Sequence, residues 1–206
     1  VLPLLSGVND TFAKEYPYEF YPKNADVEKA KELLNKALEE IGATADQIPT
    51  FEYLTDDSDT ARTSAEAIQD MLNRNLGINI EIKQVPFKQR LELMTAEDYD
   101  IVFAGWGPDY DDPLTYLDLW VIGGGNNDTG WEDQTYTDMI NYIRTASDLK
   151  ARADKMFEAE KYLLENGPIV PIYFRRRAWT HVDGLTGLVR NFIGADPDFT
   201  YADITR

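Results

Sequence analysis

The stretch DYDIVFAGWGPDYDDPLTYLDLW, from Asp98 to Trp120, joins a strand-like apolar run to a segment rich in Gly, Trp, Pro and Asp. Its first part, Tyr99 to Ala104, is apolar on both faces, which is typical of a central strand in a helix-covered sheet. A cluster of three carboxylates follows, Asp109, Asp111 and Asp112. Because open α/β sheets bind ligands beyond the carboxyl ends of their strands, we expect this cluster to lie at the functional edge of the sheet.

Segments on either side of this stretch alternate between helical and strand-like patterns. ADVEKAKELLNKALEEIG repeats apolar residues at helical spacing, and Asp26 and Gly42 are suited to cap its two ends. Residues 1–24 have mixed polarity and are interpreted as an extended lead-in. Further helices are predicted over about 61–77, 133–147 and 148–166, and strands at TFEYLT (50–55), INIEIKQV (78–85) and PIVPIYF (168–174). The alternation predicts an α/β fold, a sheet layered with helices on both faces, in which residues 1–206 form a single domain.

Charge and composition exclude several classes of function. The chain has 206 residues, with 37 acidic against 20 basic side chains and a formal net charge of −17. Nucleic-acid binding depends on basic side chains that neutralise phosphates, so we predict no nucleic-acid partner. The absence of Cys excludes disulfides, zinc–thiolate sites and cysteine nucleophiles. The acidic charge is consistent with simple solubility, and also with attraction of cationic ligands.

The carboxylate cluster does not match a metal-binding or catalytic motif. A calcium loop that began at Asp109 would need Gly at its sixth position, which is Leu114, and the Glu required at the twelfth is also missing. Two carboxylates could hydrolyse a glycoside, but the sequence does not give the separation that this chemistry requires. His181 is the single His, and such a residue is more typical of a surface or packing position. We therefore predict no catalytic residue, metal or cofactor, and leave a carbohydrate-active enzyme as the less favoured alternative.

Asp109 has an unusual local setting. Gly105 and Gly107 allow a backbone or a ligand to approach closely. Asp109 follows them between two aromatic residues, Trp106 and Tyr110, where a carboxylate without a partner would be costly. The pattern therefore indicates that Asp109 binds a cation, either an internal Arg or the ammonium group of a ligand.

YDIVFAGWGPDYDDPLTYLDLW resembles the signature segment of the peptide-binding proteins of bacterial ABC importers, the oligopeptide- and dipeptide-binding solute-binding proteins (family 5). DVEKAKELLNKA, IQDMLNRNLGINIEIKQV and ARADKMFEAEKYLLENGPIVPIYF resemble other segments of that family in the same order. The resemblance implies the second, carboxyl-side lobe of a two-lobe fold of the periplasmic-binding-protein type (type II). It also implies an extracytoplasmic location, in the periplasm or lipid-anchored at the cell surface. The implied partners are a peptide ligand, the amino-side lobe of the same protein and the membrane subunits of the importer.

The same resemblance implies a set of ligand-binding residues. In such proteins the peptide lies between two lobes, and an Asp shortly after the Gly-Trp of a strand holds its α-amino group. By position that Asp is Asp109, with Trp106 on the same wall and Gly105, Tyr110 and Phe103 completing the set. Phe103 stands where some members have an Arg that meets a peptide carboxylate, so the resemblance does not imply that contact here. A receptor for an oligosaccharide or a metal chelate on the same scaffold is the alternative.

Overall fold

A computed structural model describes residues 1–22, 24–176, 178–194 and 196–205 of the chain. These residues divide into two compact units. We call the first the sheet unit; it comprises Tyr21–Gly105 and Asp128–Gly130. We call the second the helical unit; it comprises Val1–Phe20, Trp106–Asn127 and the chain from Trp131 onward. That residues 1–206 act as one lobe of a larger protein stays a prediction.

The helices and strands are numbered in the order in which they occur along the chain. The helices are α1 (Phe12–Glu15), α2 (Val27–Ile41), α3 (Asp59–Leu76), α4 (Phe87–Thr95), α5 (Leu114–Leu117), α6 (Gln134–Thr145) and α7 (Leu149–Asn166), with short 3₁₀ turns at Ala45–Gln47 and Asp118–Trp120. The strands are β1 (Phe51–Asp56), β2 (Ile80–Val85), β3 (Ile101–Val102), β4 (Leu185–Thr186) and β5 (Asp203–Ile204). Within the described residues no helix is both long enough and apolar enough to cross a membrane.

The sheet unit is built on three parallel strands in the order β2-β1-β3. β1 pairs on both sides and carries the buried residues Tyr53 and Leu54, so β1 is the central strand. The prediction that Tyr99–Ala104 forms a central strand is therefore wrong in its placement. β3 lies at the edge of the described sheet, is only two residues long and is half-buried. One further backbone bond, from the N–H of Phe103 to the carbonyl of Leu54 at 3.0 Å, extends its pairing.

Capping residues set the ends of the helices in the sheet unit. The Asp26 carboxylate accepts a hydrogen bond from the Lys29 N–H at 2.9 Å at the start of α2. At the start of α3, the Ser58 hydroxyl oxygen accepts the N–H of Ala61. Gly42 and Gly77 end these helices with φ of 68° and 71°, a left-handed conformation that suits glycine. α3 then packs on β1 and β2 around the buried Ala65. The predicted α/β class, with helices layered on a parallel sheet, is confirmed.

The helical unit has its own core between α6 and α7. Its fully buried side chains on α6 are Tyr136, Ile140 and Ile143, and α7 adds Ala153, Met156, Ala159 and Leu163. The interpretation of residues 1–24 as an extended lead-in is wrong for residues 1–16, because they contain the helix α1 and the buried residues Leu5 and Phe12. Tyr16 stacks on Phe157 of α7 with ring centroids 5.3 Å apart, so these early residues form part of the core.

The segment after α7 differs from its prediction as a strand. Residues 168–176 form no ladder with the other residues that the structure describes. Pro168 and Pro171 lack the N–H that a strand donates, which accounts for part of the difference. Ile169 packs partly on the core of the helical unit, but Val170 and Ile172 are 74% and 56% exposed, so most of this apolar segment is left uncovered. We call residues 168–174 the uncovered segment.

Candidate functional site

The loop that follows β3 in sequence forms one wall of an open cavity of about 430 Å³ in the helical unit. The cavity is lined by Trp106, Gly107, Pro108 and Asp109, and by Gly194 from a distant part of the chain. Trp106 leaves 40% of its surface exposed, although an indole of this size is normally buried. The cavity therefore offers an apolar ring and a carboxylate side by side.

Sequence reasoning did not identify Gly194 as part of this site. Gly194 lies far along the chain, in a segment that the sequence predicts only to be a loop. Its φ of 81° is a left-handed conformation that glycine adopts without steric cost. No local pattern connects it to Trp106, since only tertiary folding brings both residues to the same cavity.

The three carboxylates of the cluster differ in what they bind. Asp111 accepts hydrogen bonds from the backbone N–H and the hydroxyl of Ser6, at 2.8 and 2.7 Å. Asp112 accepts two bonds from the guanidinium of Arg152, at 2.6 and 3.1 Å. The carboxylate of Asp109 has no hydrogen-bond or ion-pair partner among the residues that the structure describes, and its side chain is exposed. The sequence predicts either an internal Arg or a ligand ammonium as the cation for Asp109. The internal Arg of this region, Arg152, binds Asp112 instead.

Thr115 fixes the backbone of Asp109 while leaving its carboxylate free. The Asp109 N–H donates to the Thr115 hydroxyl oxygen at 2.9 Å. Thr115 lies in α5 and is only 2% exposed, so it belongs to the packed interior rather than to the loop. A buried residue therefore sets where the Asp109 backbone stands, which is the arrangement expected of a preformed binding group.

Tyr110 lies next to Asp109 in a charged environment. Tyr110 is only partly buried, but this partial desolvation raises the pKa of its hydroxyl; the nearby carboxylates of Asp118 and Asp112 raise the pKa further, against an opposing effect of Arg144 and Arg152. The phenol is therefore neutral at physiological pH and can both donate and accept a hydrogen bond.

The five predicted ligand-binding residues do not share one environment. Trp106 and Asp109 meet at the cavity, whereas Tyr110 is not among its lining residues. Phe103 and Gly105 belong to the sheet unit, where Phe103 packs against the buried cluster that contains Tyr53. A ligand contact of Phe103, Gly105 or Tyr110 stays a prediction.

Comparison with known proteins places the chain in a family. Residues 3–128 match the family model described as bacterial extracellular solute-binding proteins, family 5 Middle. The chain belongs to this family. The loop from Trp106 to Asp109 lies within the matched residues.

Individual family 5 proteins are similar over nearly the whole chain. The oligopeptide-binding protein OppA of Bacillus subtilis is 32% identical over 191 residues, which are 92% of this chain and 34% of that protein. The substrate-binding domain of an oligopeptide ABC transporter from Bacillus anthracis superposes with a TM-score of 0.86 at 31% identity, covering 98% of this chain and 39% of that one. OppA of Listeria monocytogenes, solved with bound peptide, has a TM-score of 0.79 at 36% identity, covering 96% and 36%. The chain thus spans about a third of the length of the curated relatives it matches.

Proposed function

We propose that this family 5 chain is one lobe of an extracytoplasmic solute-binding protein that captures oligopeptides for an ABC importer. The peptide would lie between this lobe and an amino-side lobe, with its α-amino group on Asp109. One observation carries the proposal: Asp109 is the single carboxylate of its cluster without a partner among the described residues, and it lies beside the exposed indole of Trp106. The names of the similar proteins, which bind oligopeptides and dipeptides, support the ligand class.

The chemistry of a peptide terminus suits this arrangement. An α-ammonium carries one positive charge and three donors, and a charge-assisted bond to a carboxylate contributes about 1.5–3 kcal/mol. The indole of Trp106 would shield one side of that bond from water, and its ring face would also attract a cation. Because every oligopeptide has the same α-ammonium, binding at Asp109 would read the terminus and leave the side chains free to vary.

The decisive test compares trialanine with N-acetyl-trialanine by calorimetry on the full-length, two-lobe protein. Acetylation removes the charge, so it should weaken binding to the wild type about ten- to a hundredfold. Asp109→Asn should lose this discrimination by weakening only the free-amine peptide. Asp111→Asn is the matched control, since it makes the same chemical change in a carboxylate that Ser6 already holds. Equal affinity of the wild type for both peptides would contradict the role of Asp109.

The ligand class is tested independently of Asp109. Mass spectrometry of small molecules that copurify with the full-length protein should recover peptides. An oligosaccharide or a metal chelate recovered instead would overturn the peptide assignment. A hydrolysis screen on simple glycosides and peptides should show no turnover, and turnover that disappears in Asp109→Asn would support the enzyme alternative.

A further inference from the structure

Arg152 connects the interior of the helical unit to the loop that carries Asp109. It lies in the first turn of α7, and 20% of its side chain is exposed. Its Nε–H donates to the carbonyl of Ile143 near the end of α6 at 3.0 Å. Its two terminal nitrogens donate to both oxygens of Asp112. One guanidinium thus binds a helix-end carbonyl, of the kind left without an intrahelical partner, and a loop carboxylate at the same time.

Hydrogen bonds continue from Asp112 to Asp109 without a break. The same Asp112 carboxylate accepts the N–H of Leu114 at 2.9 Å, and the Asp112 carbonyl accepts the N–H of Thr115 at 3.1 Å. The Thr115 hydroxyl oxygen then accepts the N–H of Asp109. Hydrogen bonds between successive residues, Arg152 to Asp112, Asp112 to Thr115 and Thr115 to Asp109, thus connect Arg152 to the Asp109 backbone within the helical unit.

The geometry of this connection requires an Arg. A guanidinium presents its donors in a planar fork, so it can bond two carboxylate oxygens and a third acceptor in a fixed arrangement. A Lys in the same place is a point charge on a flexible stem and cannot hold both ends. The guanidinium also neutralises Asp112, so the charge that remains unpartnered beside the cavity is that of Asp109.

We propose that Arg152 is a positioning residue for ligand recognition: through Asp112 and Thr115 it holds the backbone of Asp109 where its carboxylate meets the ligand's cationic group. This inference rests on the proposed function for what Asp109 binds. The positioning itself can be measured without any ligand.

The first experiment is amide hydrogen exchange, resolved to single residues, on the full-length protein. Arg152→Met keeps the apolar stem and removes the guanidinium, and it should speed exchange of the Asp109 amide about ten- to a hundredfold, as the loss of a charge-assisted hydrogen bond would produce. The amide of Ile140 in the core should keep its rate, which separates local release from general destabilisation. Arg144→Met is the matched control, because Arg144 pairs with Asp118 at 3.6 Å and has no bond to the Asp109 loop. Unchanged exchange at Asp109 in Arg152→Met would overturn the proposal.

The second experiment measures the ratio of trialanine to N-acetyl-trialanine affinity in the same variants. Arg152→Met should reduce this ratio several-fold, Arg152→Lys should reduce it less, and Arg144→Met should leave it at the wild-type value. Equal weakening of both peptides would show a merely structural role and would also overturn the proposal. If the wild type does not discriminate at all, the proposed function fails, while the exchange experiment still decides whether Arg152 positions Asp109. Should Arg152→Met not fold, Arg152→Lys and Thr115→Val provide the same two measurements.

Discussion

The bond between Tyr136 and Leu117 offers a direct test of how the helical unit is held together. Tyr136 lies in α6 with 0% exposure, and its hydroxyl donates to the carbonyl of Leu117, the last residue of α5, at 2.6 Å. Tyr136→Phe removes this donor and keeps the ring. The ring contacts with Trp131 and Tyr162, at centroid distances of 5.3 and 6.5 Å, remain available to the Phe. The substitution therefore isolates the hydroxyl.

The expected cost follows from what the carbonyl loses. A neutral hydrogen bond contributes about 0.5–1.5 kcal/mol net, but a buried acceptor left without a donor costs about 1–3 kcal/mol. Since Tyr136 is fully buried, the larger range applies, and Tyr136→Phe should lower the free energy of unfolding by about 1–3 kcal/mol. For a chain of this size each kcal/mol lowers the thermal midpoint by about 2–4 °C.

Urea unfolding of the wild type, Tyr136→Phe and Tyr142→Phe measures this cost. Tyr142 lies on the same helix but is 47% exposed, so its hydroxyl is hydrated and its loss should change stability by less than about 0.5 kcal/mol. If both variants lose the same free energy of unfolding relative to the wild type, that loss comes from the change of Tyr to Phe in a helix. The buried hydrogen bond would then contribute nothing measurable, and the reasoning would be refuted.

Three further predictions concern pH and ligand. Burial raises the pKa of Tyr136, so above about pH 10 the unfolded chain releases a proton that the folded chain keeps. The free energy of unfolding should therefore fall as pH rises above about 10, and it should fall measurably less in Tyr136→Phe. Backbone N–H donation from residues 8–10 lowers the pKa of the Glu15 carboxyl, so this carboxylate stabilises the folded chain at neutral pH and loses that effect in acid. The difference in unfolding free energy between wild type and Glu15→Gln should therefore narrow between about pH 7 and pH 3, as urea titrations would show. Because one lobe leaves half of a ligand in water, millimolar trialanine should not move the thermal midpoint of the 206-residue chain, and a shift of several degrees would contradict the two-lobe account.

The sequence predicts those features that depend on neighbouring residues. Asp26 and Gly42 mark the two ends of α2 because capping is a local interaction, and the structure places both caps as expected. The motif around Trp106 and Asp109 likewise identified the family, since it is a continuous stretch of chain.

Features that depend on distant partners were not predictable. Phe12 is buried in a cluster with residues of α5, α6 and α7, and the pattern of residues 1–24 does not indicate these distant partners. An apolar run indicates a strand but not its neighbours, which is why the sequence alone wrongly predicts Tyr99–Ala104 at the centre of the sheet. The sequence predicts Arg152 only as a surface residue of a helix, because its contact with Asp112 is made by the tertiary fold.

The uncovered segment has a consequence for how the protein behaves at high concentration. At a net charge of −17, copies of the chain repel one another, and at physiological ionic strength this repulsion acts over about 8 Å. Added salt shortens that range, and a pH near the isoelectric point of about 4.3 removes the charge itself. Apolar residues such as Val170 and Ile172 can then meet between copies while each copy keeps its fold. Precipitation in salt would therefore require no unfolding of this chain.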